Sequence, residues 1–541
     1  MAAGFWGACM GISAAGEGVE SRMADSSARV KFIALWALLL VAKLAFAASM
    51  PLFGDEAFYA WEALHPAWAY SDLPGGTAAA VVVGSALFDG LPLPRELGVR
   101  LVFLLAGAAI PWLVVRIARR LGTCEQAWRA GLWSLPIPLL MPMGVMALPD
   151  ALMTLAALLA LDACAGLLHD DEAPRGRLYA QFAIALALGA LTHYRFGPIL
   201  LVGAAAFFAA GGWRRRGDAG LWLALLVGAA AWWPIIQYNL EMQGAGLHFQ
   251  LVERHPWHFN AKGLLQPLLQ AVITTPLLYG LFGWALWANR RAAKPAVRFV
   301  ALAGGGLWLL YALLAPFVDK ARFSLHWPVP AYLLAAALLP IALDAARSRW
   351  AGRLMPWAAG MAAGATALML AAFVLPSSPK LAARAAGTAF YPDNFVGWEE
   401  IAVALRPRLA EGDVLIADHF MLAAQLSFSL GGRAEVFVLD HWNNHKHGRA
   451  PQIALWGYDE AALSRLAPGT RAWIAFEVAE TPERDHAAWV ARPCRWFEST
   501  EYVATIEGPG GGKRFWLYRG VRREGSMEPS DLACDAQPPA R

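Results

Sequence analysis

Gly54-Asp55-Glu56-Ala57-Phe58-Tyr59-Ala60-Trp61, continued by Tyr70-Ser71-Asp72-Leu73-Pro74, decides how this chain is read. It follows directly on the apolar segment from Phe32 to Met50 and carries carboxylates at Asp55, Glu56 and Glu62, with a fourth at Asp72. No Lys or Arg lies between Met50 and Gly90 to neutralise them. Ionisable groups at the mouth of a membrane segment cost desolvation energy, so they are kept where water, a substrate or a cation can use them. The stretch therefore reads as an outer loop that holds an active site.

Composition sets the class around it. The 541 residues are 58% hydrophobic and only 16% charged, with a mean hydropathy of +0.42, and apolar stretches long enough to cross a bilayer recur throughout. The formal net charge of +4 is scattered in short clusters, which gives no continuous basic face for nucleic acid. Cys9, Cys124, Cys164, Cys494 and Cys534 show no metal or redox spacing. Cys494 and Cys534 share the tail, where a disulfide between them is open if the tail lies in an oxidising compartment.

Residues 1–29 are small, polar and glycine-rich and read as a disordered segment, with Met23 a second candidate start. Ala45-Phe46-Ala47 resembles a signal-peptidase site, but the segment is long enough to span and a membrane protein follows, which favours an uncleaved first helix. Further spans are expected near 97–118, 126–144, 147–168, 178–193, 195–211, 219–238, 263–288, 296–317, 325–345 and 354–375, about 11 in all. Alternate loops then collect the Arg and Lys residues at 116–129, 175–177, 214–216, 290–298 and 347–353. By the positive-inside rule the N-terminus is cytoplasmic, and the Asp55 loop and the tail are outside. Thr77 to Phe88 is too short for a span and is expected at the interface.

From Pro376 hydropathy falls. Val414–Ala417, Val436–Leu439, Trp473–Val478 and Phe515–Tyr518 read as strands, with a helix from His419 to Leu430 completing a βαβ unit. The expected organisation is a transmembrane part over 30–375, with its catalytic outer loop at 51–95, and a small soluble α/β domain over 376–541. In Asp440-His441-Trp442-Asn443-Asn444-His445-Lys446-His447 the Asn pair argues against a helix, so a solvated loop facing the acceptor is expected rather than a zinc site.

An apolar helix, then Asp-Glu-Ala-x-Tyr-x-Trp, then Tyr-x-Asp-x-Pro, resembles the first outer loop of glycosyltransferase family 39. These are GT-C-fold membrane enzymes that include protein O-mannosyltransferases and lipid A aminoarabinose transferases. His326-Trp327-Pro328-Val329-Pro330-Ala331-Tyr332, Leu148-Pro149-Asp150, His193-Tyr194-Arg195 and Gly397-Trp398-Glu399-Glu400 extend the resemblance in order along the chain. The chain departs from the bacterial pattern at Asp72-Leu73-Pro74-Gly75, where a His or Lys and a second Pro are usual.

The resemblance implies transfer of a sugar, with inversion, from a polyprenyl-phosphate donor to a lipid, glycan or protein acceptor on the periplasmic face of the inner membrane. Such a reaction needs a base for the acceptor proton and cations for the leaving phosphate. It implies Asp55 as the base, and partial burial is expected to raise its pKa. Glu56, Asp72 and Asp150 are candidates for holding the acceptor or shaping the site, with Glu62 read as an exposed helix residue. Arg195, Lys320 and Arg322, and more weakly Arg254, are candidates for the donor phosphate. Tyr59, His326 and Trp327 are candidate substrate contacts. No cofactor is expected, since cationic side chains can do the electrostatic work of a metal, and a divalent ion stays open. A flippase for a lipid-linked sugar is the alternative from another class. It would need ionisable residues deep in paired helices; a catalytically inactive assembly factor on the same scaffold is a further one.

Overall fold

The structure is a computed structural model that describes residues 19–169, 175–255, 257–318, 325–346 and 349–526. Lys320, Arg322 and Cys534 lie outside them. Among the described residues seven helices are long and apolar enough to cross a membrane, or eight if one bent pair is a single span, and the chain is a multi-pass membrane protein. The first helix runs Val19–Ser49, so it begins inside the segment read as disordered.

Two expected spans are corrected by backbone chemistry. The one near 126–144 stops at Ser134, because Pro136, Pro138 and Pro142 each remove a helical donor. Lys43 Nζ instead donates to the freed carbonyls of Leu140 and Met143 at 2.7 and 2.9 Å. The one near 263–288 is broken into Ala261–Thr274 and Pro276–Asn289, bent by 110°. Its hinge is Thr275 at φ 71, immediately before a proline. Gly76–Phe88 is a helix of 13 residues, too short to cross.

The chain divides into two compact units. The first comprises residues 1–45, 103–234 and 255–370. Its core joins Met153, Ala156, Phe182, Phe196, Ile199, Leu307, Tyr311 and Trp327. Within it Asp162, buried in the last third of the span Pro149–Leu167, is bound by Arg120 at 2.7 Å and Arg116 at 2.8 Å. A carboxylate at such a position is retained only when paired.

The second unit comprises residues 46–102, 235–254 and 371–541. It holds a five-stranded sheet in the order β2-β1-β3-β5-β4, with β1 Val414–Ala417, β2 Val436–Val438, β3 Arg471–Glu477, β4 Phe497–Glu507 and β5 Arg514–Arg522. β1 pairs parallel with β2 and β3, and β5 pairs antiparallel with β3 and β4. The β1–helix–β2 unit is the one read from the sequence, its helix Phe420–Leu430 capped by the His419 side chain. β4 escaped that reading because Glu498, Thr500, Glu501 and Thr505 interrupt its apolar pattern. Ile416, Phe437, Ile474, Phe476 and Tyr518 form the sheet's core.

The segment expected as a solvated histidine loop is partly buried and helical at Trp442–Lys446. His441, 3% exposed, caps that helix by accepting from Asn443 N, and Asn444 is satisfied by Phe420 N and the Leu439 carbonyl. The Asn pair does not break the helix, because its side chains bond outward, Asn444 to Phe420 N and the Leu439 carbonyl and Asn443 to Glu480, instead of competing with the helical backbone.

Candidate active site

The organising stretch folds as a helix over Gly54–Ala63 that starts after the extended Phe53. Glu56 closes its first turn by accepting from Phe53 N at 2.8 Å, and two carboxylates at a helix N-terminus are favoured by the dipole. The Glu56 carboxylate is fully buried and held by Arg100, through Nε at 2.8 Å and Nη2 at 2.7 Å. Arg100 also donates to the carbonyls of Ala47, Met50 and Pro51. Glu56 therefore fixes the entry to the helix, and Arg100 keeps its carboxylate buried.

Asp55 is the exposed member of the pair, with 29% of its side chain open to solvent. Its Oδ1 lies 2.8 Å from Nη2 of Arg449, a residue of the tail. Arg449 Nε reaches Asp72 Oδ2 at 3.3 Å. The guanidinium is packed over the rings of Phe58 at 4.1 Å, Phe420 at 4.3 Å and Tyr59 at 5.6 Å. The loop is tied to the tail around this arginine: Ser71 Oγ donates to the Gly448 carbonyl at 2.6 Å, and Gln452 Oε1 accepts from Ser71 N. Gln250 Nε2 donates to the Asp72 carbonyl at 2.6 Å, and the Leu73 carbonyl accepts from Tyr70 N.

Electrostatics follow from this geometry. Burial pushes the Asp55 carboxyl up, but Arg449, His447 and Arg254 outweigh it and leave its pKa below the usual carboxylate range. The expectation of a raised pKa is thus corrected. It counted burial and missed a cation nearly 400 positions away in sequence. Burial and the Asp72 charge push Glu62 well up. Glu62 is 1% exposed, which corrects its reading as a surface residue. Asp72 is raised by burial against the opposing pull of Arg449. Burial lowers His447 to about 4, so it is neutral near pH 7. Tyr59, buried beside Asp55, has its hydroxyl pushed up.

In the first unit, four further candidates come together. Asp150 Oδ1 accepts from Arg195 Nη2 at 2.8 Å and lies 3.3 Å from His326 Nε2, and the Arg195 guanidinium sits 5.2 Å from the Trp327 ring centre. The helix Pro149–Leu167 is capped at Leu148 without a side-chain bond, so capping does not account for Asp150. Arg195 Nη1 is buried without a partner.

The sequence reading missed Arg449 and Arg100 and placed Glu62 at the surface. The one signal for Arg449 was the basic run His445-Lys446-His447-Gly448-Arg449 in a tail segment where cations would face an acidic loop. Among the described residues no group of three or more His, Cys, Asp or Glu side chains converges as a metal set.

Residues 84–238 match the family model described as dolichyl-phosphate-mannose-protein mannosyltransferase. No match exists among curated protein sequences. The crystal structure of ArnT from Cupriavidus metallidurans in the apo state superposes with a TM-score of 0.64 at 15% identity, covering 90% of this chain and 97% of that one. The same protein bound to undecaprenyl phosphate gives a TM-score of 0.65 at 17% identity, with 90% and 97% covered. The resemblance read from short motifs is borne out: the chain has the GT-C fold of the ArnT glycosyltransferase structures, and its residues 84–238 carry the sequence pattern of the dolichyl-phosphate-mannose-protein mannosyltransferase family.

Proposed function

We propose that the chain is a membrane glycosyltransferase that moves a sugar from a polyprenyl-phosphate carrier to a lipid, glycan or protein acceptor, with Asp55 as the base. The observation that carries this reading is the state of Asp55: partly exposed, ionised, and held through one oxygen by a buried arginine. Oδ2 is then the atom that takes the acceptor proton. The acceptor oxygen or nitrogen bonds to the anomeric carbon as the bond from that carbon to the phosphate oxygen breaks. The lipid phosphate departs with the electron pair and the sugar's configuration inverts. A paired carboxylate is a weak base, so its contribution lies in position and in constant charge rather than in a matched pKa.

Arg195 is the donor-phosphate candidate best supported by geometry, because it keeps a buried, unsatisfied Nη1 beside Asp150, His326 and Trp327. Lys320, Arg322 and Arg254 belong to the same reading by sequence. Bound undecaprenyl phosphate in the ArnT structure supports a lipid-phosphate donor here. We place 30–375 in the inner membrane, with the N-terminus cytoplasmic and both the 51–95 loop and the 376–541 domain periplasmic.

The test is sugar transfer in membranes supplied with radiolabelled polyprenyl-phosphate sugars, comparing the native chain with Asp55→Asn at equal expression. Loss of on the order of 100-fold or more in the variant is expected for removal of a general base. Equal transfer by both removes Asp55 from the role. Label crossing the membrane without transfer would favour a flippase.

A further inference from the structure

Two carboxylates converge on one guanidinium in the second unit, and a third carboxyl group, that of Glu62, lies behind Asp72. Asp55 and Asp72 each give an oxygen to Arg449. Glu62 makes no salt bridge among the described residues; its carboxyl lies beside that of Asp72, near enough for one to share a proton with the other. Both are buried, at 1% and 4% exposure. Glu62 Oε1 and Asp72 Oδ1 are each buried without a hydrogen-bond partner. Two ionised carboxylates buried side by side repel, whereas one proton shared between the two carboxyls removes that repulsion and gives a buried oxygen a hydrogen-bond partner. Asp72 has the arginine to stabilise its charge and Glu62 has none in contact, so the proton belongs to Glu62.

Arg449 itself cannot wander. Its backbone N–H donates to the Asn444 carbonyl at 2.8 Å, its neighbour Gly448 is bound by Ser71, and its guanidinium is enclosed by Phe58 and Phe420.

We propose that Glu62 as a neutral acid, Asp72 and Arg449 form a positioning relay for Asp55. Glu62 donates its O–H to Asp72, Asp72 fixes the Nε edge of Arg449, and Arg449 holds Oδ1 of Asp55 so that Oδ2 alone is left for the acceptor proton. The relay rests on Asp55 being the base. Glu62 and Arg449 are positioning residues, since neither receives the proton that is transferred. The charged and titratable groups around Glu62 are Asp72, Arg449, Asp55, Tyr59 and Tyr70. Around Asp55 they also include His447 and Arg254.

Glu62→Gln keeps the shape and the donated hydrogen bond, so its transfer rate near pH 7 should stay within about threefold of native, while Glu62→Ala loses on the order of 10- to 100-fold in kcat as alignment fails. Raising the pH should depress native transfer as Glu62 ionises and leave Glu62→Gln unaffected. Two readouts on the full chain do not depend on transfer. Infrared difference spectra of native against Glu62→Gln should show the carbonyl stretch of a protonated carboxylic acid in the native protein only. Because Glu62 binds its proton more tightly when folded, native stability should be complete below the ordinary Glu range and fall relative to Glu62→Gln as the pH rises above it. A native protein without that band, or a Gln variant as impaired as the Ala variant, overturns the relay. If no acceptor is glycosylated from any donor, the glycosyltransferase reading fails by itself, and with it the relay's task. The infrared band and the stability profile then still decide whether Glu62 holds the proton.

Discussion

Arg100→Met should be among the most damaging single substitutions in the outer loop. Arg100 is fully buried, as is Glu56, and the guanidinium satisfies both Glu56 oxygens and three carbonyls, those of Ala47, Met50 and Pro51. Breaking a buried ion pair from one side costs about 3–5 kcal/mol, because the remaining charge is left without compensation. Three orphaned carbonyls would add about 1–3 kcal/mol each if they stayed dry. Water entering the space left by the guanidinium offsets much of this, so a net loss of roughly 5 kcal/mol is expected. The companion substitution tests the cause: with Arg100→Met and Glu56→Met together, both charges leave, and replacing a buried pair by apolar side chains is often nearly neutral. The double variant should therefore recover at least half of the loss. The assay is unfolding of the purified full chain in detergent, monitored by tryptophan fluorescence, with protease cleavage within 46–63 as a local readout. Arg100→Met within about 1 kcal/mol of native, or additive single and double losses, would refute the reasoning.

Two further outcomes concern the tail. Gly448 has φ +70, and a Cβ there would meet the Phe249 ring at 2.5 Å, so Gly448→Ala should strain a left-handed turn by about 1–3 kcal/mol and shift Arg449; sugar transfer should fall more than global stability does, and unchanged transfer would contradict the placement of Arg449. At the carboxyl ends of β1 and β3, burial disfavours the His419 cation, but Asp418 and Glu477 outweigh it and bring its pKa to about 9. With the folded value above the unfolded one, the stability from this proton is complete below about pH 6.5 and lost as the pH rises through about 9. It amounts to roughly 3 kcal/mol. His419→Gln should accordingly destabilise the full chain most in mild acid and least above that window. A penalty that grows with pH would refute the sign, and hydrogen exchange of β1 and β3 would report it.

Much of this protein was legible as pattern. Apolar stretches of bilayer length fix a helical membrane protein, because lipid offers no partner to a bare backbone. Alternation and apolar runs marked the βαβ unit of the tail, and residue identity singled out Asp55, Asp72, Asp150, Arg195, His326 and Trp327. What remained hidden depends on partners distant in sequence. Asp55 and Glu56 are adjacent and alike in charge, yet Arg449 holds one that stays partly exposed and Arg100 holds the other fully buried. Glu62 looked like a surface acid until Asp72 and the tail covered it. The sequence by itself determined which groups could ionise and that they would lie beside a membrane. Only the tertiary structure decided which of them stay charged, because a carboxyl's proton is set by the burial and the cations that folding brings around it.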